Sequence, residues 1–272
     1  MGGQSGCRLD AGAEDGVRTV RAADGAAQEV VVRFVRADAY DGPALAAQAC
    51  EILGADEREA HARLRPTVAR LDYLAAHALA RTTLAEFAGC EPSRLRLRPS
   101  PWGRPEIVTP RSARRLRFSL SHSDGMALCA VAVHGAVGAD VESLRNIGPD
   151  PLCLAEAICC RREKDALRAL PTSARAEVLL SMWTLKEAIT KAMGLGFQFP
   201  FTRIAIHWEE NRLAAVEFDS EAAGDASEWR LASLRLTPYH VAAVAARCAA
   251  ADEVAIRFEA AASTSKWFSA PT

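Results

Sequence analysis

The sequence is short of lysine. Of its 33 basic residues only four are lysines (164, 186, 191 and 266), and the 34 acidic residues leave a formal charge of −1. With no excess of either sign, a generic polyanion binder is excluded. No apolar run approaches the roughly 20 residues that a bilayer span needs; the stretch Ala127–Val133 stops at His134. The first 27 residues are rich in Gly, Ala and charge, and lack the apolar segment after a basic start that marks a secretory signal. The expectation is a cytoplasmic protein with a disordered tail over residues 1–28 that binds neither nucleic acid nor membrane.

The eight cysteines (7, 50, 90, 129, 153, 159, 160 and 248) include no C-x-x-C pair. A chain of 272 residues needs no disulfide framework, so free and mostly buried thiols are expected. The six histidines form no H-x-x-x-H or H-E-x-x-H pair, which leaves nothing to build a zinc site. No P-loop and no G-x-G-x-x-G follows a strand-like segment, so a nucleotide would have to be held by side chains and turns. No G-x-S-x-G elbow exposes a serine, which argues against a hydrolytic triad.

What is present is a globular composition, 50% hydrophobic and 25% charged, in a length that suits one large domain or two smaller ones. Residues 29–35 read as a strand, and 42–53 and 68–87 as helices. Residues 94–117 carry eight arginines against one acid, Glu106, with four prolines, and read as a basic connection. Three short strands follow at 118–123, 126–133 and 137–142. The intervening Asp124-Gly125 and Gly135 suit antiparallel neighbours. A helical stretch resumes at 152, is punctuated at Pro171, and runs to Met193, where Gly194 and Gly196 stop it. Strand-like runs close the chain at 203–208, 213–219, 229–236, 240–246 and 253–258. The fold class is α+β, with two comparable halves, 29–137 and 138–259, meeting near Gly138, and a flexible tail over 260–272. No internal sequence repeat is visible.

Asp140 and Glu142 stand two apart on a predicted strand and share a face. Such a pair is ordinarily a solvated edge, yet converging carboxylates beside a polyphosphate are also how Mg²⁺ is held. On the helix ending at Met193, Trp183, Glu187 and Lys191 recur every four residues. The plain reading is a Glu–Lys pair one turn apart beside a core tryptophan. Two of the four lysines, 186 and 191, fall here, which points to a need for a compact ammonium rather than a guanidinium fork. Ser119-Leu-Ser121-His122-Ser123 sets hydroxyls and an imidazole at a strand end, as a polar turn or as phosphate donors.

Taken in order, Gly103-Arg104-Pro105, Phe118-Ser-Leu-Ser-His-Ser123, Gly138-Ala-Asp140-Val-Glu142 and Trp183-Thr-Leu-Lys186-Glu187 through Lys191-Ala-Met-Gly194-Leu-Gly196 resemble the 4′-phosphopantetheinyl transferase superfamily. The similarity is to its longer, surfactin-synthetase-activating (Sfp-like) class and covers residues 30–250. The resemblance implies a pseudo-dimer of two similar α+β halves in one chain, working as a monomer, with coenzyme A in the cleft between them. It implies transfer of 4′-phosphopantetheine from CoA to a serine hydroxyl of an apo acyl, peptidyl or aryl carrier protein, releasing adenosine 3′,5′-bisphosphate. It also implies Mg²⁺ at Asp140, Glu142 and Glu187, Lys191 on phosphate oxygens, His122 on the 3′-phosphate, and Arg104 with Ser121 at the adenine end.

On that reading Glu187 is the candidate base for the serine proton. Lys186, about 100° round the helix from it, would orient the carboxylate or the pantetheine arm. One position departs from the family: where it carries a phosphate-binding arginine, this chain has Asp72. Arg70, with Arg65 and Arg63 as substitutes, is expected to compensate in CoA binding. Cys159-Cys-Arg161-Arg162-Glu163 stands where the carrier protein is expected to dock, its arginines steering an acidic partner. The same acids would also serve a Mg²⁺-dependent nucleotide pyrophosphohydrolase, and Asp72 would suit a degenerate module that binds CoA or a carrier protein without catalysis.

Overall fold

The computed structural model describes residues 8–9, 17–21, 28–37, 42–65, 68–100, 104–209, 212–249 and 253–261. Two strands, β1 (Arg8–Leu9) and β2 (Val17–Arg21), precede β3 (Gln28–Arg36). Then come α1 (Gly42–Ile52), α2 (Ala55–Arg63), α3 (Val68–Ala88), β4 (Arg96–Pro99), β5 (Pro105–Thr109), β6 (Arg117–Ser123) and β7 (Met126–Ala132). The same order of elements follows again: β8 (Ala136–Ser143), α4 (Pro151–Ile158), α5 (Arg161–Ala169), α6 (Thr172–Met193), β9 (Ile204–Glu209), β10 (Arg212–Phe218), β11 (Trp229–Arg235) and β12 (His240–Arg247). The pairing repeats too. β3 pairs with β7 and β7 with β6, while β8 pairs with β12 and β12 with β11, all antiparallel. The chain is an α+β protein of two similar halves.

The last strand, β13 (Val254–Ala260), crosses back and joins the first sheet, parallel to β3 and antiparallel to β2. Two expectations are corrected by it. The half beginning at 138 yields its final strand to the other half, and residues 8–9 and 17–21 of the expected tail are strands at the edge of the first sheet. The remainder of the N-terminal tail up to residue 27, and residues 262–272, lie outside the described residues.

The two sheets stack face to face between two helical layers. Along β7, Ala127, Cys129 and Val131 pack on α1 and α3, whereas Met126, Leu128, Ala130 and Ala132 pack on the second sheet. Both faces being buried, β7 and β12 read as unbroken apolar runs instead of alternating ones. Ala243 and Ala245 of β12 turn to α4 and α6 on the far side. The β6–β7 turn has φ 47° at Asp124 and 84° at Gly125, the primed geometry that Asp-Gly favours. β8, expected as a third neighbour, instead opens the second sheet.

Three features were not foreseen. α2 has no apolar stripe, and its buried residue is Glu57. The arginine- and proline-rich stretch holds the hairpin β4–β5, and the helix from 152 breaks at Cys159-Cys160. Of the described cysteines, Cys129 and Cys159 are buried but Cys50 and Cys153 are exposed.

One contact sets the site. A Cβ on Gly138 of β8 would fall 1.9 Å from Ala188 O and 2.5 Å from Ala192 N of α6. Only glycine lets that helix lie this close to the strand.

Candidate active site at the junction of the halves

β8 sends Val137, Ala139 and Val141 into the core between the sheets. Period two therefore leaves Asp140 and Glu142 together on the opposite face, as expected. β6, at the edge of the first sheet, meets β8 through alternate serines. Ser119 Oγ accepts from the Ala139 amide at 3.0 Å. Ser121 Oγ donates to Asp140 Oδ1 at 2.8 Å, and Ser123 Oγ donates to Glu142 Oε2 at 2.7 Å. α6 closes the third side. Lys191 Nζ lies 2.7 Å from Asp140 Oδ1 and also donates to Ala139 O at 3.3 Å. The lysine thus pairs across the cleft, with Glu187 one turn back on the same helix.

Asp140 and Glu187 are 3% and 4% exposed. One oxygen of each, Asp140 Oδ2 and Glu187 Oε1, is buried with no hydrogen-bond partner. Burial pushes the Glu187 carboxyl up to about 7; the Lys191 ammonium opposes this, and the Asp140 and Glu142 charges add to it. Glu142 is also held above the usual carboxylate range, by burial and then by Asp140, against the Ser123 hydrogen bond. One ammonium faces three acids, so the cluster has a deficit of positive charge. Among the described residues no three or more Asp, Glu, His or Cys side chains form a group that could hold a metal ion. Mg²⁺ needs none: it keeps several waters and takes one or two carboxylates beside substrate phosphates. Two buried, unpartnered carboxylate oxygens fit that demand.

Other expected residues lie elsewhere or act otherwise. The Arg104 guanidinium donates to Val137 O at 3.0 Å, Phe118 O at 3.2 Å and Lys191 O at 3.3 Å, so it staples β8, β6 and the end of α6. Those bonds tie three of its five N–H donors to backbone, and Ser121 donates to Asp140. His122 is half-buried, and burial, then the positive charges of His77 and Lys191, hold its imidazole below the usual range.

Lys186 is not in the cleft. It is wholly buried, and its ammonium donates to Glu163 Oε2 at 2.6 Å, Ile158 O at 2.8 Å and Phe201 O at 3.2 Å. All three protons are engaged, which overturns the expected role toward Glu187 or the pantetheine arm. Arg70 Nε donates to His61 Nε2 at 3.3 Å, away from the acids, and Arg63 pairs with Glu59. Asp72 is 4% exposed and accepts the Gly125 amide at 3.1 and 3.2 Å, so it faces the β6–β7 turn. Arg161 and Arg162 start α5 on the surface. Gly103 lies outside the described residues.

Sequence reasoning missed that Ser123, read as a phosphate donor, serves Glu142, and it missed Asn146 and the partner of Lys186. The alternate serines at 119, 121 and 123 were the available signal for the first; Asn146, beyond the end of β8, had none.

The model of the 4′-phosphopantetheinyl transferase superfamily matches residues 136–245, the stretch from β8 to β12. The 4′-phosphopantetheinyl transferase HetI of Nostoc sp. is 31% identical over 176 residues, 65% of this chain and 70% of that protein. The L-aminoadipate-semialdehyde dehydrogenase-phosphopantetheinyl transferase of Eremothecium gossypii is 35% identical over 172 residues, 61% of this chain and 60% of that one. A holo-(acyl-carrier-protein) synthase from Bacillus anthracis, solved with CoA (3′,5′-ADP), is 20% identical with a TM-score of 0.35, covering 42% of this chain and 96% of that one. The chain therefore spans 60 to 70% of the length of these two sequence relatives. A match of that extent, with the family pattern lying on the strand and helix that carry the acids, settles the kinship: the chain belongs to the 4′-phosphopantetheinyl transferase superfamily.

Proposed function

We propose that the protein transfers 4′-phosphopantetheine from CoA to a serine hydroxyl of an apo acyl, peptidyl or aryl carrier protein, releasing adenosine 3′,5′-bisphosphate. The observation that carries this reading is the pair of buried, unpartnered oxygens on Asp140 and Glu187 beside Lys191. A cluster of three acids and one ammonium repels a diphosphate on its own and accepts one only with a divalent cation. Asp140, Glu142 and Glu187 would hold Mg²⁺, which when bound offsets the charge on the diphosphate oxygens.

Lys191 is 29% exposed at its side chain and can turn from Asp140 to a phosphate oxygen. Glu187 is the base for the serine proton; without the metal, burial pushes its carboxyl up to about 7. His122, neutral at that pH, donates a hydrogen bond to the 3′-phosphate. The exposed Arg161 and Arg162 would steer an acidic carrier. One chain supplies both halves of the cleft, so it acts as a monomer, in the cytoplasm. None of the described helices is long and apolar enough to cross a membrane.

The test is intact-mass analysis of an apo carrier protein incubated with this enzyme, CoA and Mg²⁺, with EDTA and Glu187→Gln controls. A gain of one phosphopantetheine, lost in both controls, is expected. CoA cleavage without carrier would mark a pyrophosphohydrolase, and CoA binding without transfer to any carrier class would mark a non-catalytic module.

A further inference from the structure

Ser123 sits at the end of β6, 8% exposed, between two partners from the other half. Its Oγ donates to Glu142 Oε2 at 2.7 Å and accepts from Asn146 Nδ2 at 3.0 Å. The amide nitrogen only donates, so it fills a lone pair of the hydroxyl and leaves the hydroxyl proton for Glu142. The polarity of the three-residue chain is therefore fixed.

The backbone behind Ser123 is fixed as well. Asp124 O accepts from His240 Nε2 at 3.0 Å, and Asp124 Oδ2 accepts from Ser143 Oγ at 2.8 Å. On the other side the buried Asp72 takes the Gly125 amide. The turn is pinned from both halves, and Ser123 is held where its hydroxyl meets Glu142.

We propose that Ser123, backed by Asn146, is a positioning residue that sets the cation affinity of the site by locking the Glu142 carboxylate in one orientation. The proposal rests on the metal-dependent transfer described above. Ser121 does the same for Asp140, but it also lies 3.4 Å from the Lys191 ammonium, so its loss would mix phosphate and cation effects. Ser123 separates them.

The experiment measures Mn²⁺ binding to the full-length protein with CoA present, by electron paramagnetic resonance of the free ion, for the parent, Ser123→Ala, Ser123→Thr and Asn146→Ala. Loss of a group that orients a metal ligand typically weakens metal binding tenfold or more. Ser123→Ala is expected to bind Mn²⁺ about tenfold more weakly. Ser123→Thr, which keeps the hydroxyl, should restore most of this, and Asn146→Ala should lose less in the same direction. CoA affinity at saturating Mg²⁺ should be unchanged in all three. In transfer assays the Mg²⁺ concentration for half-maximal rate should rise while kcat at saturating Mg²⁺ recovers. Parent-like Mn²⁺ affinity in Ser123→Ala, or a loss in Ser123→Thr as large as in Ser123→Ala, overturns the clasp. Should Ser123→Ala not fold, the exposed Asn146→Ala decides, an unchanged affinity again overturning it. A parent protein that binds no Mn²⁺ with CoA present overturns the transfer reaction itself.

Discussion

Glu163 holds Lys186 at 2.6 Å just as Glu57 holds Arg81 at 2.6 Å, at matching places in the two halves. Each glutamate is the third residue of the second short helix and accepts the amide three positions earlier, Gly54 at 2.7 Å and Cys160 at 2.8 Å. Each basic partner lies on the long helix and is almost fully buried. A buried ion pair thus docks α2 on α3 and α5 on α6, and the duplication persists in chemistry where it has faded from the letters.

Lys186 is therefore a stability residue. Lys186→Met leaves Glu163 charged and 2% exposed, and breaking a buried pair by removing one partner costs about 3–5 kcal/mol. Urea denaturation should show that loss, and the double variant with Glu163→Gln, which removes the unpaired charge but keeps an acceptor for the Ile206 amide, should regain part of it. A catalytic Lys186 would instead lower kcat with the denaturation midpoint unchanged.

Gly138→Ala should be among the most damaging small substitutions in the chain. Its methyl would meet backbone atoms of Ala188 and Ala192, which cannot move without lifting α6 off β8. A loss of about 3 kcal/mol or more is expected in thermal denaturation, with Glu187 and Lys191 drawn away from Asp140. A midpoint within a degree of the parent would mean that the helix yields freely.

Asp140, Glu142, Glu187 and Lys191 were legible because periods of two and four place them on single faces. The strands β7 and β12 were legible because burial on both sides demands small apolar residues, and β8 because its apolar residues alternate with its acids. Lys186 was misread because a helical wheel shows only that it points away from Glu187; that Glu163 waits there depends on how α5 packs. α2 escaped because what it buries is a carboxylate, and β4–β5 because arginine and proline mask a surface hairpin. Asp72 was compared by position with a phosphate-binding arginine, whereas its carboxylate faces a turn 53 residues away in sequence.

Glu187 links activity to pH and stability in opposite senses. Burial pushes its carboxyl up to about 7 in the folded protein, against 4.5 for a freely solvated glutamate. Between these values the folded state holds the extra proton, so the Glu187 contribution to stability falls as pH rises. Without CoA and metal, Glu187→Gln should be more stable than the parent at pH 8 by up to roughly 3 kcal/mol, the difference shrinking toward pH 5. Chemical denaturation at both pH values checks this, and transfer by the same variant should be lost. A variant less stable than the parent at pH 8 would remove the buried-charge account.

Asp72 marks where a comparison by position and a comparison by geometry part. If it stood in a phosphate site, Asp72→Arg would strengthen binding of CoA relative to 3′-dephospho-CoA. Its carboxylate instead accepts the Gly125 amide in a buried site under the turn that follows Ser123. Asp72→Ala should cost about 1–3 kcal/mol, the penalty for a buried donor left unmade, and leave the ratio of KM for CoA and 3′-dephospho-CoA unchanged. Asp72→Arg should be worse in stability and no better in that ratio, because the charge arrives under the turn and not in the cleft. Improved discrimination in Asp72→Arg would return this helix face to the CoA site and make Arg70, hydrogen-bonded to His61, the residue to examine next.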